Sequence, residues 1–234
     1  MDFNGRHVVV TGGTGVLGAA VVGELLAAGA LCHVPNLVAA ELDGFAYAAD
    51  ERVGVALEVD LAEEGAVESF YAALPDLWAS VHVAGGFAMA PLAEIDAAAF
   101  RAQMDLNALS CHLCCRAAIA NMRGGPSEGG RIVNVAARPA LEPRQGAGMV
   151  AYTASKAAVA ALTQALAEEL KDEAIWVNAV APSILDTPAN RAAMPSADFA
   201  AWPKVAEVAA VIAFLASPQN LAARGAVVPV YGKS

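Results

Sequence analysis

Tyr152 and Lys156 stand four residues apart in Ala151-Tyr152-Thr153-Ala154-Ser155-Lys156, at the head of a run with helical periodicity. The phenol and the ammonium therefore share one helix face, a turn apart. A phenol titrates near about 10 in water, and a neighbouring ammonium favours the phenolate, which moves the group toward acid and base chemistry. Such a pair could pass a proton to or from a bound molecule. Without further context the pair is bland, because tyrosine and lysine at this spacing are usually surface packing.

A second chemistry-bearing segment lies near the start. Val8-Val9-Val10-Thr11 runs into Gly12-Gly13-Thr14-Gly15-Val16-Leu17-Gly18 and then into the helical pattern Ala19, Val22, Leu25, Leu26. Glycines let backbone approach a pyrophosphate, the helix start offers unpaired N–H groups and a positive dipole end, and Gly18 lets helix and strand pack closely. A glycine-rich turn is often only a turn. Its place between a first strand and a first helix makes Gly12, Thr14, Gly15, Val16, Leu17 and Gly18 candidate dinucleotide contacts. After the next apolar run comes His33-Val34-Pro35-Asn36, with neither an acid nor an arginine or lysine adjacent. Asn36 can bond a ribose hydroxyl and nothing obvious neutralises a 2′-phosphate, so NAD(H) is favoured over NADP(H). Asp60-Leu61 could hold the adenine amino group, or Asp60 could simply cap the helix before Glu63 and Glu64.

These groups need a scaffold, and the hydrophobic pattern supplies one. Apolar runs at 7–11, 30–35, 53–59, 80–84, 131–136, 175–181 and 226–230 alternate with helical patterns at 15–28, 63–73, 96–122 (one helix or two joined pieces), 151–171 and 205–216. That alternation predicts an α/β fold, a doubly wound parallel sheet with helices on both faces, in a single domain over 1–234. The stretch 123–130 reads as a surface turn. The segment between Pro182 and Pro203 interrupts the rhythm and reads as a functional loop, about 183–203, or as a plain surface excursion.

Apolar residues make up 57% of the chain and charged residues 16%, enough for buried strands and close-packed helices; the net charge of −10 argues against nucleic acid and anionic membranes as partners. No charge-free apolar run reaches the ~18 to 20 residues of a membrane helix, and Met1-Asp2-Phe3-Asn4-Gly5-Arg6 is no signal peptide, so a cytoplasmic location and a small-molecule substrate are expected. Cys32, Cys111, Cys114 and Cys115 are too sparse for a disulfide framework. Cys111, His112, Cys114 and Cys115 could be imagined around a metal, but a buried helix face is the better account, and no metal is expected.

The glycine turn, Asp60-Leu61, Ala84-Gly85-Gly86, Asn107, Arg131-Ile132-Val133-Asn134-Val135, Tyr152 with Lys156, and Val177-Asn178-Ala179-Val180-Ala181-Pro182 follow one another in an order that resembles the short-chain dehydrogenases/reductases over nearly the whole chain. The resemblance implies a Rossmann sheet of order 3-2-1-4-5-6-7 and an NAD(P)H-dependent oxidoreductase, homodimeric or homotetrameric through the helices of Asn107 and Tyr152. It also implies Tyr152 as proton donor, Lys156 on the nicotinamide ribose, and Asn107 holding a relay water. Ala84, Gly85, Gly86, Pro182, Ile184 and Thr187 are implied as cofactor contacts.

The chain departs from that pattern. Ala137 stands where the family places a substrate-binding serine, Val16 where a glycine is expected, and His82 and Val83 where paired asparagines precede Ala84-Gly85. With Gly148-Met149 and the run Leu185-Asp186-Thr187-Pro188-Ala189-Asn190-Arg191, these departures resemble the dihydropteridine reductases, implying a carbonyl or a quinonoid pterin-like substrate. His82, Phe87, Met89, Met149, Phe199 and Trp202 are candidate pocket residues, with Gln145 and Arg138 as replacements for the serine. A cofactor-binding regulator without turnover is the rival reading, supported by Ala137 and the irregular glycine turn. A sugar epimerase or dehydratase fits the glycine spacing, but the short C-terminal region leaves little room for a sugar nucleotide.

Overall fold

In a computed structural model, residues 1–125 and 129–234 are described. The elements in chain order are β1 (His7–Thr11), α1 (Val16–Ala27), β2 (Leu31–Pro35), β3 (Val53–Ala56), α2 (Glu64–Ala72), β4 (Leu77–His82), α3 (Ala97–Met104), α4 (Ser110–Gly124), β5 (Gly130–Val135), α5 (Arg138–Leu141), α6 (Val150–Glu169), β6 (Ile175–Pro182), α7 (Pro188–Ala193), α8 (Val205–Ala216) and β7 (Val227–Val230). The strands form one sheet of order β3-β2-β1-β4-β5-β6-β7, every neighbouring pair parallel. This is the order that the family resemblance implies.

Strand periodicity explains the two cores. Successive side chains of a strand point to opposite faces. Val8 and Val10 of β1 join the cluster under α1 and α8, while Val9 joins the one under α2, α4 and α6. The sheet is thus covered on both sides, which is why its central strands read as continuous valine, isoleucine and alanine. Among the described residues no helix is long and apolar enough to cross a membrane.

Several boundaries differ from the sequence expectation for local reasons. β3 stops at Ala56 because Glu58 sits at φ +60, off the extended path. β4 begins at Leu77, three residues earlier than the pattern suggested. The helical run 96–122 is capped by the Asp96 carboxylate, which accepts from the Ala99 N–H at 2.8 Å, and is split by a π turn, Asp105–Leu109, that carries Asn107. Of the expected turn 123–130, Arg123 and Gly124 close α4 and Gly130 opens β5, while 126–128 lie outside the described residues. The 182–203 segment carries α7 and a 3-10 turn, Phe199–Ala201.

Candidate active site

The glycine turn joins the C-terminal end of β1 to the start of α1. Gly12 adopts φ +63, and a Cβ on Gly18 would lie 2.0 Å from the Gly12 carbonyl oxygen, so both positions admit only glycine without moving the turn. Gly15 precedes the first helical residue with extended backbone and no side-chain cap, which leaves the first N–H groups of α1 for a ligand. The turn lines a cleft of ≈ 380 Å³ together with Asn36, Leu61, Ala84 and Gly85. Gly12, Thr14, Gly15, Val16, Leu17 and Gly18 all face it, and Val16 is 59% exposed there. A larger groove of ≈ 710 Å³ between α2 and α4 is lined by none of the candidate site residues.

Where Asn36 borders the cleft the structure adds a residue that sequence reading passed over. Glu41, in a 3-10 turn (Ala39–Gly44), accepts hydrogen bonds from Thr14 Oγ1 at 2.7 Å and from Asn36 Nδ2 at 3.1 Å. Nδ2 of Asn36 also donates to Thr14 Oγ1 at 3.3 Å. Because that amide nitrogen faces a carboxylate, its orientation is set by the network, and Oδ1 is left buried with no hydrogen-bond partner. An orphaned acceptor beside a carboxylate suits ribose hydroxyls, which donate, and offers no counter-charge to a phosphate. The glycine cradle and Asn36 thus fit a nicotinamide dinucleotide. No periodicity marks Glu41; only the fold carries it back from five residues beyond Asn36. Asp60 Oδ1 accepts from the Ala62 N–H at 2.9 Å, a local turn ahead of α2, and Leu61 lines the cleft.

Beyond Gly85 the cleft meets the other helices. A Cβ on Gly85 would stand 2.5 Å from Asn107 Oδ1 and 3.1 Å from Lys156 Nζ, so glycine here lets backbone, amide and ammonium converge. Asn107 is almost wholly buried and its amide is fully engaged. It accepts from the Gly86 N–H at 3.0 Å and donates to the Gly86 carbonyl at 2.9 Å and to Ser155 Oγ at 3.1 Å. The side chain therefore pins the 85–86 segment to α6. Lys156, also buried, donates to the Val135 carbonyl at 2.8 Å, and burial pushes its ammonium down to about 8. Tyr152 packs edge-on against Phe87, ring centres 5.0 Å apart, and burial pushes its phenol up to about 12. The expected lowering of Tyr152 by Lys156 does not appear in this geometry, because the ammonium is turned to a strand carbonyl.

Phe87 and Met89, in the segment that follows Gly86, are exposed apolar residues, 61% and 63% exposed. Trp202 is buried against Phe199, so it braces the 182–203 segment. The same segment is fastened by Asp186, whose carboxylate accepts from Arg191 Nε at 2.6 Å and Lys204 Nζ at 2.5 Å. Those two cations hold its carboxyl well below the usual carboxylate range. Thr187 caps α7 by accepting from the Asn190 N–H at 3.2 Å; Ile184 is 43% exposed, and Pro182 closes β6. Ala137 is buried at the start of α5. Arg138 does not substitute for a serine there: it donates to Glu142 at 3.0 Å and stacks on Tyr231 at 4.7 Å. Gln145 is exposed.

His82 is not a pocket residue. It is 3% exposed, in the core between β4 and α4, where Cys111 and Cys115 surround it. Cys111, Cys114 and Cys115 are buried as the helix pattern suggested, while His112 faces out.

Residues 6–197 match the family model described as short chain dehydrogenase. The chain belongs to the short-chain dehydrogenase/reductase family. It is 34% identical to a cis-4-hydroxycyclohexanecarboxylate dehydrogenase of Sinomonas cyclohexanicum, across 98% of this chain and 96% of the relative. It is also 28% identical to a 2,3-dihydroxy-2,3-dihydro-p-cumate dehydrogenase of Pseudomonas putida, across 100% of this chain and 96% of that one. Among solved structures, a blue fluorescent protein from a metagenomic library, in complex with NADPH, superposes with a TM-score of 0.88 at 29% identity, covering 100% of both chains. This short-chain dehydrogenase/reductase is accordingly an NAD(P)-dependent oxidoreductase, and a regulator without turnover is not the reading that these likenesses support.

Proposed function

We propose that the enzyme interconverts a secondary alcohol and a ketone, on a carbocyclic substrate, with NAD(H). The observation that carries this reading is the convergence of Lys156 and Asn107 on Gly85, at a cleft that fits a dinucleotide, with Tyr152 packed against the exposed Phe87 just beyond it. The two relatives named above support the substrate class, since by name both oxidise hydroxyl groups on six-membered rings. Gly12, Thr14, Gly15, Val16, Leu17 and Gly18 would hold the pyrophosphate half of NAD(H), Asn36 and Glu41 the adenosine ribose, Leu61 the adenine, and Ala84, Gly85, Gly86, Pro182, Ile184 and Thr187 the nicotinamide side. When bound, NAD(H) supplies the hydride donor or acceptor.

This chain's residues handle the proton. A phenol held near about 12 is protonated at neutral pH, so Tyr152 enters carbonyl reduction as the acid and hydrogen-bonds the oxygen on which charge develops. Lys156 stays within the same buried pocket as a cation that can turn toward the tyrosinate or a ribose hydroxyl. Asn107 holds Gly85 and Gly86 as a rigid floor. The 183–203 segment closes the substrate side, and copies of the chain associate through the faces of α4 and α6.

Ala137 favours a second reading. Without a hydroxyl there, a simple ketone lacks a donor that can contribute ~3 kcal/mol, whereas a quinonoid pterin is electron-deficient on its own. The likeness to dihydropteridine reductases rests on sequence segments alone, and neither relative named above is one by name. Steady-state assays of cyclic alcohols and ketones beside quinonoid dihydropterin, each with NAD(H) and NADP(H), decide between the two. Turnover of ring alcohols is expected; turnover of the pterin alone would overturn the first reading. Tyr152→Phe should cut kcat by about 10²- to 10⁴-fold and leave cofactor binding, read by fluorescence titration, nearly unchanged.

A further inference from the structure

The polar cluster beneath the active site contains more than hydrogen bonds require. His82 Nε2 lies 2.8 Å from Ser80 Oγ, which in turn is 2.8 Å from the Tyr71 hydroxyl. His82 Nδ1 lies 2.8 Å from Asn134 Oδ1 and 3.5 Å from Cys115 Sγ. Cys115 Sγ is 3.6 Å from the same Asn134 oxygen. Cys111 stands one helical turn before Cys115, and the ligand atoms of His82, Cys111 and Cys115 all lie within 4.8 Å of one another.

We propose that His82, Cys111, Cys115 and Asn134 form a buried zinc site that clamps α4 to β4 and β5. Two sulfurs, one imidazole nitrogen and one oxygen are a donor set that zinc takes in tetrahedral geometry. With Zn–S near about 2.3 Å and Zn–N near about 2.0 Å, tetrahedral donors stand roughly 3.3 to 3.8 Å apart. The two distances from Cys115 Sγ, 3.5 and 3.6 Å, fall in that range, the 2.8 Å Nδ1···Oδ1 pair must open by a few tenths of an ångström, and Cys111 Sγ stands within 4.8 Å of the His82 and Cys115 ligand atoms.

The outer partners suit this role. Ser80 Oγ can accept a hydrogen bond from Nε2–H, fixing the tautomer that presents Nδ1 to the ion, and Asn134 Nδ2 donates to Thr163 Oγ1 at 2.9 Å, which keeps Oδ1 turned inward. Charge also balances. Two thiolates cancel the dication, so no net charge is left in a dry core, and binding releases about two protons, one from each thiol, to solvent. The ligands come from three elements far apart in sequence. The ion would brace β4 just ahead of Ala84-Gly85-Gly86, and α4 one turn below Asn107, without touching substrate.

The test uses the untagged full chain, purified from zinc-supplemented cells and dialysed against EDTA. Because the site is sealed, about one zinc per chain should remain by elemental analysis and be freed on denaturation. Refolding with Co(II) alone should give the visible bands of tetrahedral cobalt and a thiolate-to-cobalt charge-transfer band. Cys115→Ala and His82→Gln should each lower retained zinc at least tenfold, and His112→Ala, on the exposed side of α4, should leave it unchanged. The cobalt spectrum of the unaltered chain keeps the test decisive if a variant fails to fold. Zinc-free protein with no cobalt charge transfer, zinc that persists in both site variants, or a mass lower by two hydrogens from a Cys111–Cys115 disulfide would each overturn the proposal.

Discussion

At the scale of single residues, the informative positions are those where one side chain faces a choice of partners. Glu41 could have been a solvated surface acid; instead it receives the hydroxyl of Thr14 and the amide of Asn36 at the mouth of the cleft. A carboxylate there accepts from ribose hydroxyls and repels a 2′-phosphate, so Glu41→Gln should weaken NAD⁺ and relieve NADP⁺. The ratio of kcat/KM for NADP⁺ over NAD⁺ is expected to rise about tenfold, equivalent to ~1.4 kcal/mol, in parallel assays of the two cofactors. An unchanged ratio would mean that Glu41 only ties Asn36 in place. Tyr152 and Lys156 were legible as a pair from their spacing. Their electrostatics were not, since the partner that Lys156 takes is the Val135 carbonyl of β5, 21 positions away in the chain and beside it only after folding.

Elements carry the next level of cause. The β1 to α1 turn works because backbone occupies the volume that side chains would fill. Gly18→Ala would push a methyl to within 2.0 Å of the Gly12 carbonyl oxygen, and neither is a flexible side chain. A loss of about 3 kcal/mol in urea unfolding, with weaker cofactor binding, is expected. β1 and β2 hold a second dependence. His7 and His33 stack at 5.1 Å with a 2.9 Å bond between Nδ1 of His7 and Nε2 of His33, which needs one nitrogen to accept. Burial first, and His7 second, lowers His33 to about 4 from 6.5. The folded chain therefore binds this proton less readily than the unfolded chain. The stability held by neutral His33 is fully present above about 6.5 and is lost as pH falls toward about 4. Partial exposure reduces the effect to about 1–2 kcal/mol. Thermal melts between pH 7 and pH 4 should be flatter for His33→Phe than for the unaltered chain. The rhythm of strands and helices was readable because each element repeats its own period. The π turn at Asn107 and the end of β3 at Glu58 were not, because both are breaks in a period that the apolar pattern carries through.

Across the whole molecule, the two ends of the sheet divide the labour. The cleft along the glycine turn and Tyr152 gather at the carboxyl ends of the strands, where parallel sheets usually bind ligands. At the opposite end Arg131, near the start of β5, lies between the faces of Trp78 and Trp176, at 5.0 and 4.3 Å. It donates to the carbonyls of Gly130 and Asn220 at 2.8 and 2.9 Å, tying β4, β5, β6 and the segment after α8 together. Burial lowers its guanidinium to about 10, and among the described residues no carboxylate is hydrogen-bonded to it. Arg131→Ala removes two cation–π contacts and leaves buried carbonyls unpaired, so a loss of about 3 kcal/mol in denaturant unfolding is expected. KM for substrate and cofactor should not change, because the mutated end is remote from the cleft; a raised KM would show that the two ends are coupled.

Whatever depends on neighbours along the chain could be read before any coordinates: the glycine turn, the alternation that predicts a parallel sheet, the helical spacing of Tyr152 and Lys156, and the absence of a hydroxyl at Ala137. Periodicity and steric demand are local properties, and they survive in a one-dimensional string. Only the tertiary structure decided that Glu41 returns to Asn36, that Arg138 faces Tyr231, and that His82 sits with Cys111 and Cys115 in the core instead of in a pocket. Each of these is a contact between residues whose separation in sequence carries no period. The choice among partners was made by packing, when strands and helices closed on one another and left each polar group the nearest atom that could satisfy it.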